Sequence, residues 1–127
     1  MKLKDYFEGK KGLGFLSTAD KGGKVNAAVY SRPQVIDDKK VAFITADRLT
    51  HANLLVNPYA VYLFKEDGEG YDGKRLYLKK SGETDDQLLI DGLRRSCHGR
   101  SCEEGHDKKF LVYFDVESEL PLIVVKK

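Results

Sequence analysis

The chain has no tryptophan, one methionine, three prolines and only two cysteines among its 127 residues. Cys97 and Cys102 share one short polar stretch, so they cannot staple distant parts of the fold, and a reducing compartment is expected. Charge of one sign is also missing, since 22 basic side chains face 20 acidic ones for a formal net charge of +2. Without a broad positive field, neither nucleic acid nor an anionic membrane is an expected partner, and any anion site must be local. No uncharged run approaches the ~20 apolar residues that cross a bilayer, and Met1-Lys2-Leu3-Lys4-Asp5 has no apolar stretch of the signal-peptide kind. The expectation is a cytoplasmic protein. Repeats, linkers and low-complexity segments are absent, so residues 1–127 read as a single domain.

What is present is mostly strand. Leu13 to Ala19 is apolar and aromatic and stops at the turn Asp20-Lys21-Gly22-Gly23. Val25 to Ile36 alternates until Pro33, which cannot donate to a ladder and implies an edge or bulge, with free backbone polar groups near Ser31-Arg32-Pro33. After the turn at Asp37 to Lys40, Val41 to Thr45 is the next strand, and the first three strands are expected to form a meander. Thr50 to Asn57 changes to helical spacing, with Thr50 as N-cap and Asn57-Pro58 as stop. Tyr59 to Lys65 and Lys74 to Ser81 are further strands, separated by the glycine-rich loop Glu66 to Gly73, which is expected to be a mobile lid. Thr84 and Gln87 have the spacing of a capping box for a second helix that ends near Arg94 and Arg95. Phe110 to Val116 and Leu120 to Val125 read as two last strands. Leu3, Tyr6 and Phe7 make a one-sided helical stripe. Short strands with small helices make the fold class mainly β, with a closed barrel expected over alternating βαβ units.

The chemistry concentrates in Thr45-Ala46-Asp47-Arg48-Leu49-Thr50-His51. A helix start leaves backbone N–H groups without partners at the positive end of the dipole, and hydroxyls with an arginine beside it suit a terminal phosphate. A capped helix with a solvated arginine is the competing reading. Residues 12–80 resemble the pyridoxamine 5'-phosphate oxidase-like, FMN-binding split β-barrel proteins. The likeness is carried by Gly12 to Asp20, by Val29-Tyr30-Ser31-Arg32-Pro33-Gln34, and above all by Ile44 through Pro58. It implies a split β-barrel in which Val29, Tyr30, Ser31, Arg32 and Gln34 lie along the flavin ring. It likewise implies that Thr45, Arg48, Leu49 and Thr50 lie at the FMN phosphate, and that Lys74 or Arg75 reaches the flavin of the partner in a homodimer. The chain departs from the oxidases in two places. Leu49 and Thr50 stand where they carry adjacent arginine and lysine, and their tryptophan- and arginine-containing C-terminal motif is missing, which argues against pyridoxamine-phosphate oxidation itself.

The resulting expectation is an FMN-binding flavoprotein of oxidoreductase type, with a small-molecule electron donor or acceptor and a substrate that the residues do not name. A flavin or haem carrier without turnover, or an interaction module that has lost its cofactor, are the alternatives from other classes. No nucleophile stands with its base, so acyl or phosphoryl transfer has no support. Cys97, His98, Cys102 and His106 could form a zinc site or a redox pair, but the spacing and the charged loop favour a plain surface segment. His51 is expected to cap the helix or serve a phosphate in preference to ligating haem. The strand tyrosines are expected in the core and at an interface, with Tyr59, Val61 and Leu63 needing cover from a second chain.

Overall fold

The computed structural model describes residues 2–94 and 108–123. Helix α1 (Leu3–Phe7) precedes strands β1 (Gly12–Ala19), β2 (Val25–Val29), β3 (Gln34–Asp37) and β4 (Lys40–Ala46). Then follow α2 (Leu49–Val56), β5 (Tyr59–Glu66), β6 (Gly73–Thr84), α3 (Gln87–Arg94) and β7 (Lys109–Pro121). The strands form one seven-stranded sheet in the order β2-β1-β5-β6-β7-β4-β3, antiparallel throughout. Its inward faces meet in a single core of Leu16, Val41, Phe43, Tyr62, Phe64, Leu76, Leu78, Val112 and Phe114. One continuous core shared by strands far apart in the sheet order requires the sheet to curl into a barrel.

The expected meander of three strands is incorrect. β1 pairs with β2 and β3 with β4, but β2 and β3 lie at opposite ends of the sheet. Residues 30–33 carry the chain between them. Pro33 explains the break, because a residue without an N–H cannot continue a ladder from one strand into the next. Its neighbours are not free, however. The Tyr62 hydroxyl donates to the carbonyls of Tyr30 and Ser31 at 3.3 and 3.1 Å, and Arg32 donates to the Phe7 carbonyl at 2.6 Å.

Two helices close the ends of the barrel. Leu3, Tyr6 and Phe7 of α1 join the core beside Phe64, as their stripe predicts. At the other end α2 buries Thr50, His51, Asn53 and Leu54. Asn57 ends α2 in extended backbone and accepts from the Tyr59 amide, so the chain passes directly into β5. Helix α3 packs Ile90 on Ala42 and Leu111, on the outside of β4 and β7.

Both expected N-caps shift. Thr84 belongs to β6, paired with Leu111, and the α3 start is capped by Asp86, whose Oδ1 accepts from the amides of Leu88 and Leu89. The strand ladder outcompetes the capping box because Thr84 still has a partner strand. Arg48, not Thr50, is the N-cap residue of α2, and its side chain makes no capping bond. The strand expected from Phe110 to Val116 runs on to Pro121, because Val116 to Pro121 keeps pairing with the start of β6; of the strand expected from Leu120 to Val125, Leu122 and Ile123 are not strand, and Val124 and Val125 lie outside the described residues. The turns fare better, with Asp20 Oδ1 accepting from Gly22 and Lys24 amides and Gly23 taking the left-handed φ of 91° that a side chain resists.

Candidate functional site

Strand β4 alternates Val41 and Phe43 into the core, and the same alternation turns Thr45 inward at the barrel end. Thr45 is 1% exposed, yet its Oγ1 has no hydrogen-bond partner. A buried hydroxyl left in that state costs ~1–3 kcal/mol, so the atom marks a place that a ligand would complete. Immediately beyond it the chain turns, with the Arg48 amide donating to the Ala46 carbonyl at 2.8 Å, and α2 starts. The positive end of the helix dipole and its first amides therefore lie beside Thr45 and Arg48.

Thr50, one residue inside the helix, is buried and hydrogen-bonded to the Tyr30 phenol. Burial raises the Tyr30 phenol above its usual range and the Thr50 bond partly offsets this. Its ring meets Phe43 edge-on, with centroids 6.0 Å apart. Thr50 is thus tied to Tyr30, the residue after β2, while Thr45 and Arg48 adjoin Thr50 along the chain at the turn into α2. Gly14 is what lets Tyr62 hold this end of β2. A Cβ there would overlap the Tyr62 hydroxyl and come within 2.6 Å of the Tyr30 carbonyl oxygen.

A second polar layer lies under α2. The His51 ring stacks on Phe110 with centroids 3.8 Å apart and planes 8° apart, and its Nε2 sits 3.0 and 3.1 Å from the two Glu83 oxygens. Lys80 holds the same carboxylate at 2.6 Å. Burial alone would raise the Glu83 carboxyl, but the Lys80 and His51 bonds outweigh it and hold the group below its ordinary range. Beside it Asn53 donates to the Thr18 hydroxyl at 3.0 Å, both residues buried. The sequence points to His51 but not to Glu83 or Lys80, because nothing local marks a contact across 32 positions. His51 is not the helix cap, because Arg48 holds that position and His51 lies within α2.

The remaining candidates divide. Val29 is 66% and Leu49 57% exposed, Ser31 is exposed, and Gln34 pairs with Ala42 at the far end of the sheet order. Arg32 is committed to α1. Lys74 and Arg75 do not join the group within one chain. Lys74 pairs with Glu119 at 3.1 Å and lies over the Tyr6 ring, at the α1 end. Glu83, nine residues further along β6, touches His51 at the α2 end, a separation of up to ~30 Å along an extended strand. Arg75 donates from Nε to the Pro121 carbonyl at 3.0 Å, while its Nη2 is buried without a partner. It belongs to a row across the sheet, Val29, Phe15, Leu63, Arg75 and Leu120, which the strand registers align.

Cys97, His98, Cys102 and His106 lie outside the described residues, so the zinc and redox readings are not addressed by the geometry. The loop between β5 and β6 is tethered at its start, with the Asp67 amide donating to the Lys11 carbonyl and the Glu66 amide to the Asp72 carbonyl. Among the described residues no helix is long and apolar enough to cross a membrane.

A barrel split between β2 and β3, plugged by a helix that follows β4, is shared with solved structures. An FMN-binding protein from Syntrophomonas wolfei subsp. wolfei superposes with a TM-score of 0.78 at 22% identity, over 98% of this chain and 86% of that one. The fold of this chain is a split β-barrel. A putative pyridoxamine 5'-phosphate oxidase from Lactobacillus delbrueckii has the same split barrel, with a TM-score of 0.66 at 13% identity over 91% of this chain and 88% of that one. So does HutZ, the heme storage protein of Vibrio cholerae, with a TM-score of 0.69 at 18% identity over 95% of both chains. No family model matches the split-barrel chain, and no curated protein does.

Proposed function

We propose that the chain is an FMN-binding flavoprotein that acts as a homodimer in electron transfer with a small molecule. The observation that carries this reading is the unpartnered, buried Thr45 Oγ1 beside the start of α2. Thr45, Arg48 and the first amides of α2 offer a hydroxyl, a guanidinium and a dipole end, the donor set that a phosphate monoester needs. FMN would supply the redox chemistry through its isoalloxazine, and the protein's part is placement and exclusion of water.

The barrel interior has no room for a ring system, since Tyr62, Phe64, Phe114 and Leu16 fill it at 1% exposure or less. The ring must lie outside, along the end of β2, which Tyr62 and Thr50 hold in place. Such a ring needs cover. The row from Val29 through Phe15, Leu63 and Arg75 to Leu120 is the surface a second copy would cover. Lys74 and Arg75 would then serve the flavin of the other protomer.

Haem carriage is the second reading, supported by the likeness to HutZ. His51 does not serve it, because its Nε2 is held by Glu83 and its ring lies flat on Phe110. Absorbance spectra and fluorescence titrations of the purified protein with FMN, riboflavin and haemin separate these readings. Quenching of FMN with tighter binding than riboflavin is expected. A Soret band without FMN binding would replace the flavin reading by the haem one, and indifference to all three would leave an interaction module. Sedimentation is expected to show a dimer that Leu63→Glu converts to a folded monomer, and a monomeric parent with FMN bound would refute the shared site.

A further inference from the structure

We propose that binding of a phosphate at the start of α2 is coupled to uptake of a proton at His51 Nδ1. This makes His51 a positioning residue that tunes the site without touching the ligand. The inference rests on the reading of the turn between β4 and α2 as a phosphate site.

The geometry fixes the ring. A carboxylate only accepts, so with Glu83 ionised the His51 nitrogen facing it, Nε2, carries hydrogen. Stacking on Phe110 and a side chain only 5% exposed prevent the ring from turning over. Nδ1 is therefore left buried and without a hydrogen-bond partner, and Asp47 Oδ1 lies 3.8 Å from it. With a lone pair on Nδ1, two negative poles face each other. With a proton there, Asp47, which is 69% exposed and able to turn, becomes its acceptor.

The charges around the ring show what decides between the two states. Asp47 faces it from the turn, Glu83 and its partner Lys80 from β6, and Lys108 lies 5.3 Å from the centre of the Phe110 ring on which it stacks. Arg48 neighbours Asp47 in the chain. Lys108 is itself paired with Asp85 at 3.2 Å, so three carboxylates are set against two ammonium groups and one guanidinium. A phosphate dianion at Thr45 and Arg48 shifts this balance to the negative side. A proton on Nδ1 restores it, and draws Asp47 toward His51 and away from the phosphate. His51 thereby supplies the charge that Leu49 and Thr50 do not.

Calorimetric titration with FMN and with riboflavin, in buffers of different ionisation enthalpy above pH 7, reads the proton directly. In that range a phosphate monoester is already dianionic, its second ionisation lying near ~6. FMN is expected to take up a fraction of a proton and riboflavin none, and His51→Gln is expected to abolish the uptake. The affinity ratio of FMN to riboflavin should fall by about threefold to tenfold from about pH 7 to about pH 9 in the parent, and stay level in His51→Gln. Ring-nitrogen chemical shifts of His51 in the parent, with and without FMN, give the same answer should the variant fold poorly. FMN binding that leaves the His51 ring singly protonated would overturn the coupling alone. Equal affinity for FMN and riboflavin at every pH would remove the phosphate site, and the coupling with it.

Discussion

The Tyr62 hydroxyl lies 3.1 Å from the Ser31 carbonyl oxygen, 31 positions away in the chain, and ties β5 to the segment that crosses the open side of the barrel. Burial raises the phenol well above its usual range, so it stays a donor at any working pH, and it also reaches the Tyr30 carbonyl. Tyr62→Phe keeps the packed ring but leaves both carbonyls without this donor. A loss of ~1–2 kcal/mol is expected, read as a lower urea midpoint with an unchanged slope. An unchanged midpoint would show that the crossing is held by other means.

Gly14→Ala tests the same joint from the opposite strand. The added methyl would overlap a hydroxyl on a side chain that is 0% exposed and so cannot yield. Destabilisation of ~2–4 kcal/mol is expected, measured by the same denaturation. Gly14→Ala combined with Tyr62→Phe should cost somewhat less than the sum, because the second change removes the nearest of the atoms the first one strikes, while the Tyr30 carbonyl oxygen remains.

At the other end of the barrel Tyr6 donates to Glu66 at 2.6 Å. That bond is the main cause holding the Glu66 carboxyl below its ordinary value of 4.5, while burial first and the Glu66 carboxylate second push the Tyr6 phenol above 10. A lowered carboxyl stabilises the fold above its unfolded value and loses that contribution as pH falls through the folded one. A raised phenol does the reverse, stabilising below 10 and losing its contribution as pH rises further. Tyr6→Phe should therefore flatten both the acid limb below about pH 4.5 and the alkaline limb above about pH 10 in the melting temperature. Glu66 is half-buried and also pairs with Lys10 at 3.5 Å, so the part of the acid effect that comes from that ion pair should shrink in high salt. A variant with the parent's acid limb would show that the bond contributes nothing to it.

Local signals were legible where one residue decides the structure. Asp20 and the glycines after it mark their turn, Asn57-Pro58 stops α2, and the stripe of Leu3, Tyr6 and Phe7 predicts its buried face. Pairing was not legible in the same way. The strand that follows β2 in the chain lies at the opposite end of the sheet, and that choice depends on long-range packing around Tyr62 and Phe43. The caps misled for a related reason. Thr84 and Thr50 have capping side chains, but one was needed by the β6–β7 ladder and the other by Tyr30. At the candidate site the residues of one continuous stretch, Thr45 to His51, were readable from spacing and from the family likeness. Glu83 and Lys80 carry no pattern of their own, and only the fold brings them beneath α2.

The double variant Arg48→Ala with Thr50→Ala tests the phosphate assignment, and the structure sharpens what it should do. Of the two changes, only Arg48→Ala removes a proposed phosphate donor, a charged one worth ~1.5–3 kcal/mol, or a loss of about tenfold to a hundredfold in FMN affinity, because the Thr50 hydroxyl is bonded to Tyr30. Riboflavin, which has no phosphate, should bind as before. Because Thr50 is not the N-cap, the stability cost should come from its bond to Tyr30, about 1 kcal/mol, and Thr50→Ser should recover it. Circular dichroism establishes that the variant is folded before binding is measured. Unchanged FMN affinity in a folded variant would move the phosphate away from this turn. Equal loss for FMN and riboflavin would instead mean that Thr50 acts through Tyr30 on the end of β2, where the ring is held, and Thr50→Ser should then restore both ligands together.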